Sequence, residues 1–120
     1  GAAAAIACLK ETKRLDVATN AAARGTQLFD GAKKLMEKHD LIGDVRGGHG
    51  LMTAIELVSD RETKAPAGKE LPVKLQEAIY QNGTMVRVSG PNIIFSPPLI
   101  ISKDEVDQVL AAVDAGFASL

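Results

Sequence analysis

The sequence has no tryptophan, one tyrosine, three phenylalanines and a single cysteine among its 120 residues. So few aromatic rings give nucleic-acid bases little to stack on. One cysteine excludes an intrachain disulfide and a cysteine-rich metal site. It lies in "AAAAIACL", with no histidine near it in sequence, and Cys8 reads as a buried, inert thiol. An excess of one charge is also missing: 14 basic and 15 acidic side chains leave a net charge of −1. With a sequence pI near 6.1, neither nucleic acid nor an anionic membrane is an expected partner. Long hydrophobic runs are absent too. The alanine-rich start is too short to cross a bilayer and lacks the basic beginning of a signal peptide, so a reducing cytoplasm is the expected compartment.

The first nine residues, Gly1 to Leu9, have neither an initiator methionine nor a Ser, Asp or Asn cap, yet helix formers begin at once. A helix apolar all round is normally buried on all sides. A domain of this length has little core with which to surround one. Residues 1–15 are therefore expected to be an interdomain-type helix left from a larger chain, and residues 16–120 the domain proper. The plainer alternative is a small helix packed on the domain's own sheet.

What is present is ordinary for a globular domain: 46% hydrophobic and 24% charged residues, at a length that buries roughly 65% of its unfolded surface. Asp16 is placed to cap a helix reaching to about His39. Val17, Ala21, Gly25, Leu28, Ala32, Leu35 and Met36 share one face of it. "LIGDVRGGHG" breaks that pattern with glycines. Leu51 to Val58 reads as a strand, with Leu51, Thr53, Ile55 and Leu57 on one side. "SDRETKAPAGKE" reads as a polar loop. Pro72 fits the first turn of a third helix, striped by Leu71, Leu75, Ala78 and Ile79 and stopped at Asn82-Gly83. Strands at Thr84 to Val88 and Asn92 to Phe95 form a hairpin across "SGP". Ser102 and Glu105 make a capping box for a last helix with Val106, Val109, Leu110, Val113 and Phe117 on its core face. The sum is an α+β fold, a small, mostly antiparallel sheet covered by helices.

Few residues offer chemistry. The glycines of "RGGHG" precede a strand, whereas a phosphate cradle follows a strand and opens into a helix, so a tight turn or bulge is expected there. His49 has no second ligand at metal spacing and reads as a turn residue. Arg46 is expected to pair structurally with a carboxylate such as Glu56 on a neighbouring strand, because Glu56 among apolar neighbours needs a partner. No nucleophile, base and orienter stand in recognisable order, so the chain does not read as a complete enzyme. Arg87 remains. Alternation puts it on one face of the hairpin with Met85 and Ser89. It is either an edge-strand side chain reaching for water or a planar cation presented to a carboxylate.

Three stretches in order, "LIGDVRGGHGLMTAIELVSDRETKAP", "GTMVRVSGPNIIFSPPLIIS" and "KDEVDQVL", resemble the C-terminal part of class III aminotransferases. Within that family they look most like the ω-amino acid:pyruvate transaminases. The resemblance implies the C-terminal small domain of a fold type I enzyme that uses pyridoxal phosphate (PLP). It implies that the reactive lysine and the cofactor-binding groups belong to a large domain or to the neighbouring subunit, and none of their motifs stands in this sequence. It assigns Arg87 the role of a mobile arginine that binds the substrate carboxylate and swings aside for apolar groups. The implied activity moves an amino group between an amine or ω-amino acid and a 2-oxo acid, with pyruvate the expected acceptor. The implied partners are those small molecules, the large domain of the same enzyme, and further copies in a homodimer or homotetramer. By itself the chain is expected to be inactive. The alternatives are the small domain of a related PLP aminomutase or decarboxylase, or a free-standing α+β ligand-binding or interaction module.

Overall fold

Helix α2 shows how the core is built. Its buried residues Val17, Ala21, Gly25, Leu28, Ala32 and Leu35 recur at helical spacing along Val17–Lys38, which turns one stripe toward the sheet. The structure, a computed structural model, describes all 120 residues. Helix α1 (Ala2–Arg14) precedes α2, and strands β1 (Ile42–Arg46), β2 (Thr53–Asp60) and β3 (Ala65–Pro66) follow it. Helix α3 (Glu70–Gln81), the hairpin β4 (Arg87–Ser89) and β5 (Asn92–Phe95), and helix α4 (Lys103–Ala118) complete the chain. The antiparallel sheet has the order β1-β2-β5-β4, with β3 added beside β2. Leu28, Ile42, Ile55, Ile79, Ile93 and Val113 fill the space between helices and sheet.

The α+β expectation holds, with corrections at several elements. Helix α1 runs to Arg14 and buries none of its residues, so Cys8 is exposed rather than buried. No other element covers α1, and the molecule is accordingly long, 51 Å by 27 Å by 26 Å. Asp16 stands where a cap was expected but is left-handed (φ 48°) and makes no side-chain capping bond. Only Leu15 and Asp16 separate the two helices, and Asp16 turns the corner, a conformation that short polar residues tolerate.

Strand β1 lies in the stretch read as a glycine-rich break. Its ladder with β2 carries a bulge between Ile42 and Asp44. Gly43 permits it, because a Cβ there would stand 2.4 Å from Val58 Cγ1. Strand β3, two residues inside the polar loop, pairs Pro66 with Val58 at the sheet's margin, where proline is tolerated. Strand β2 begins two residues later than expected, but its core-facing set is as read: Leu51, Thr53, Ile55 and Leu57 are all buried.

The helix ends follow the sequence closely. Pro72 sits in the first turn of α3. At the far end Gly83 takes φ 91°, and the Gly83 and Thr84 N–H groups donate to the Tyr80 and Ile79 carbonyls. Both halves of the Ser102–Glu105 capping box are formed, and the Glu105 carboxyl lies below its usual range because the Ser102 backbone N–H donates to it.

Arg61 closes the end of α2. Its Nη2 donates to the Met36 and His39 carbonyls at 2.6 and 2.7 Å, and its Nε to the Ile42 carbonyl at 3.0 Å. The Met36 carbonyl would otherwise be an orphan of the helix terminus. Replacing Arg61 with methionine is expected to cost about 2 kcal/mol in urea unfolding, with lysine restoring only part. A change below about 0.5 kcal/mol would mean that water serves those carbonyls equally well.

Helices α2 and α3 pack on one face of the sheet, α4 packs against both of them, and no helix covers the other face. On the open face Arg46, Ala54, Ile94 and Arg87 lie in one row across the four strands, and Asp44, Glu56, Asn92 and Ser89 lie in the next.

Candidate functional site

The two arginines of that row have opposite surroundings. Arg46 is held by Glu56, by Asp44 Oδ2 at 3.1 Å and by Asn92 Oδ1 at 2.6 Å. The Glu56 bond, with Asp44 adding to it, raises the Arg46 pKa above its ordinary value. The expected cross-strand pair is therefore formed, and it commits both charges to each other. Arg87 stands three strand spacings away, roughly 14 Å along the row. The other four arginines bond to Glu11, Gln27, Glu56 or backbone carbonyls, whereas Arg87 is exposed and forms no ion pair or side-chain hydrogen bond.

A pocket opens beside Arg87. Strand β4 is only three residues long, not the five expected from Thr84 to Val88. The preceding backbone bonds elsewhere: the Thr84 N–H donates to the Ile79 carbonyl, and the Val86 carbonyl accepts from Gln76 Nε2 at 2.8 Å. The chain therefore parts from β5 before Arg87 and leaves a cavity of about 430 Å³. Met85 and Arg87 are among its exposed members, and Leu28, Ile101 and Val106 are buried residues lining it. An apolar recess bordered by one unneutralised guanidinium can hold an organic carboxylate: the fork takes two oxygens and the recess shelters the carbon. A larger adjoining cleft of about 730 Å³ has Glu105 as its only charged residue, and that carboxylate is already committed to the cap of α4.

The other candidates stay apart from this pocket. His49 is exposed in the β1–β2 connection, where Gly47, Gly48 and Gly50 all take positive φ. The glycines therefore build a turn between strands. His39, at the expected end of α2, is a packing residue: its Nε2 lies 2.6 Å from Asp114 Oδ1 and its ring stacks on Phe117 at 4.9 Å. Asp114 is held below the usual carboxylate range, first by Lys38 and then by His39.

A resident pyridoxal phosphate does not fit the residues of this chain. Such a cofactor needs a lysine amine in a sheltered, low-dielectric site. All nine lysines here are exposed, and none lines the cavity beside Arg87. No helix is long and apolar enough to cross a membrane.

Comparison with known proteins gives the architecture a context. Residues 1–116 match the family aminotransferase class III. The taurine–pyruvate aminotransferase of Bilophila wadsworthia is 33% identical over all of this chain, which spans 28% of that enzyme. The leucine/methionine racemase of Thermococcus litoralis is 35% identical over 98% of the chain and 26% of its own length. Among solved structures, a PLP-bound amine transaminase from an uncultivated Pseudomonas species superposes with a TM-score of 0.92 at 38% identity, over 98% of this chain and 27% of that one. The chain thus spans little more than a quarter of the proteins it matches, with its fold preserved throughout. It belongs to the class III aminotransferase family.

Proposed function

We propose that this chain is the substrate-recognising C-terminal small domain of a PLP-dependent aminotransferase. Residues 1–15 form an interdomain helix and residues 16–120 the domain. The complete enzyme moves an amino group between an amine or ω-amino acid and a 2-oxo acid, with pyruvate as acceptor. The observation that carries the reading is Arg87, an unpaired guanidinium at the border of an apolar recess. The taurine–pyruvate enzyme and the amine transaminase among its relatives support it.

PLP, held by the large domain, supplies the electron sink for amino-group chemistry. This domain binds and orients the substrate. Arg87 takes the carboxylate of the 2-oxo acid or ω-amino acid in a two-bond fork, and Met85 and the recess exclude water from the adjoining carbon chain. When the amine carries an apolar group instead, the free side chain turns outward, because no bond within the domain holds it. The exposed α1 and the open sheet face are surfaces for the large domain and for a second copy in a cytoplasmic homodimer or homotetramer.

A second reading has one observation in its favour. The racemase relative is a different activity in the same family, so an aminomutase, decarboxylase or racemase on this scaffold is the competing assignment. One assay separates them. The complete protein with PLP, a primary amine and pyruvate is expected to form alanine in one-to-one ratio with the amine consumed, while this chain alone stays at the free-cofactor background. Turnover by the chain alone would overturn the division of labour proposed here. Loss of the amine without alanine would favour the second reading.

A further inference from the structure

We propose that Gln76 is the positioning residue for Arg87, an inference that rests on the carboxylate-binding reading above. The argument begins with the peptide plane. The Val86 carbonyl and the Arg87 N–H belong to one planar unit, so whatever holds the carbonyl also sets the direction in which the arginine leaves the backbone.

That carbonyl is held by Gln76. Gln76 is half-buried on α3, and its Nε2 donates to Val86 O at 2.8 Å in a partly buried setting. The Val86 side chain is packed in the core at 5% exposure, which brings the carbonyl within reach. Behind it the chain is pinned where Gly83 and Thr84 bond back to α3, and ahead of it Arg87 enters the ladder opposite Ile94. The segment between these two anchors pairs with no strand. Gln76 is the one side chain bonded to its backbone. The result is a fixed base under an unbonded head. The arginine can swing only from a set origin, which lowers the ordering cost of gripping a carboxylate.

The residue type suits the task. Glutamate has nearly the same shape but turns an acceptor toward the carbonyl oxygen, and methionine fills the space without a donor. Both remove the bond while keeping the bulk of the side chain, so the core contacts of α3 survive in at least one of the two variants.

The test uses the complete enzyme with Gln76→Glu, Gln76→Met and Arg87→Ala, singly and combined. Each is assayed with a carboxylate-bearing donor and with an amine lacking a carboxylate. Both Gln76 variants are expected to raise KM for the carboxylate-bearing donor about three- to tenfold, with kcat shifted less than about twofold. In the Arg87→Ala background they are expected to add no further loss of selectivity between the donors, because they act through the arginine. Hydrogen exchange of the 84–88 peptide should speed up in both variants, a readout independent of turnover. Equal losses with both donors, or losses that add in full to those of Arg87→Ala, would show a merely structural role and overturn the proposal. Unchanged exchange would overturn it as well. If Arg87→Ala itself leaves donor selectivity untouched, the carboxylate reading fails and this inference falls with it. If Arg87→Ala alone has its effect, only the role of Gln76 is refuted.

Discussion

Replacing Arg87 by alanine in the complete enzyme is expected to lower kcat/KM for pyruvate and for ω-amino acids by at least about tenfold, since each charge-assisted bond to a carboxylate contributes roughly 1.5–3 kcal/mol. The side chain has no partner within the domain, so its removal costs the fold little. A loss of activity at constant stability is therefore the signature expected. Amines without a carboxylate should be much less affected in their own half-reaction, because the guanidinium turns away from them. Lysine at this position should restore only part of the loss, since it returns the charge without the planar fork. Single-turnover kinetics of each half-reaction separate the amine step from the keto-acid step. If both donor classes fall together, Arg87 is supporting the hairpin rather than reading substrate. If neither changes, it is a surface cation.

The second large effect concerns the frame. Gly25 lies in the buried stripe of α2, directly against the turn between β1 and β2. A Cβ there would stand 2.0 Å from the Gly50 carbonyl oxygen and 2.4 Å from its carbon. Those are backbone atoms that no rotamer change can move aside, and Gly50 itself sits at φ 71° in a tight connection. Alanine gains about 1 kcal/mol of helix propensity over glycine. Separating α2 from the turn is expected to outweigh that gain and leave a net loss of about 2–3 kcal/mol. Gly68→Ala is the control. No atom lies within 4 Å of its added carbon, and its stability should be unchanged to within about 0.5 kcal/mol. Thermal and urea unfolding measure both. A stabilised Gly25→Ala protein would mean that the turn yields, and that α2 does not depend on this close approach.

Much of this architecture is legible in the sequence where a signal repeats or a cap has a fixed grammar. The α2 stripe, the Asn82-Gly83 stop and the Ser102–Glu105 box are of that kind, and each is found where the spacing puts it. Strand β1 is not, because five residues with a glycine among them carry little preference of their own. Its pairing with β2 decides it. The same holds for the length of β4, which is cut short when Gln76 takes the Val86 carbonyl. Bonds from a side chain to a distant backbone carbonyl leave no trace in residue type, so Gln76 and Arg61 are visible only in three dimensions. Composition was misleading for α1: eight apolar letters suggest burial of Cys8, yet nothing within the chain covers it. The Arg46–Glu56 pair was legible because a carboxylate among apolar strand residues needs a cation. The contrast that singles out Arg87 needed the structure, since only there is one arginine of the row seen to be committed and the other free.

The most direct test of the central claim is a crystal structure of the complete protein with a bound, unreactive carboxylate analogue of the 2-oxo acid. The Arg87 guanidinium is expected to reach both carboxylate oxygens, with two nitrogen–oxygen distances of about 2.7–2.9 Å. An analogue lacking the carboxylate is expected to leave the same side chain turned away from the pocket. A carboxylate seated on some other group, with Arg87 in solvent or paired to an acidic side chain elsewhere in the assembly, would contradict the account.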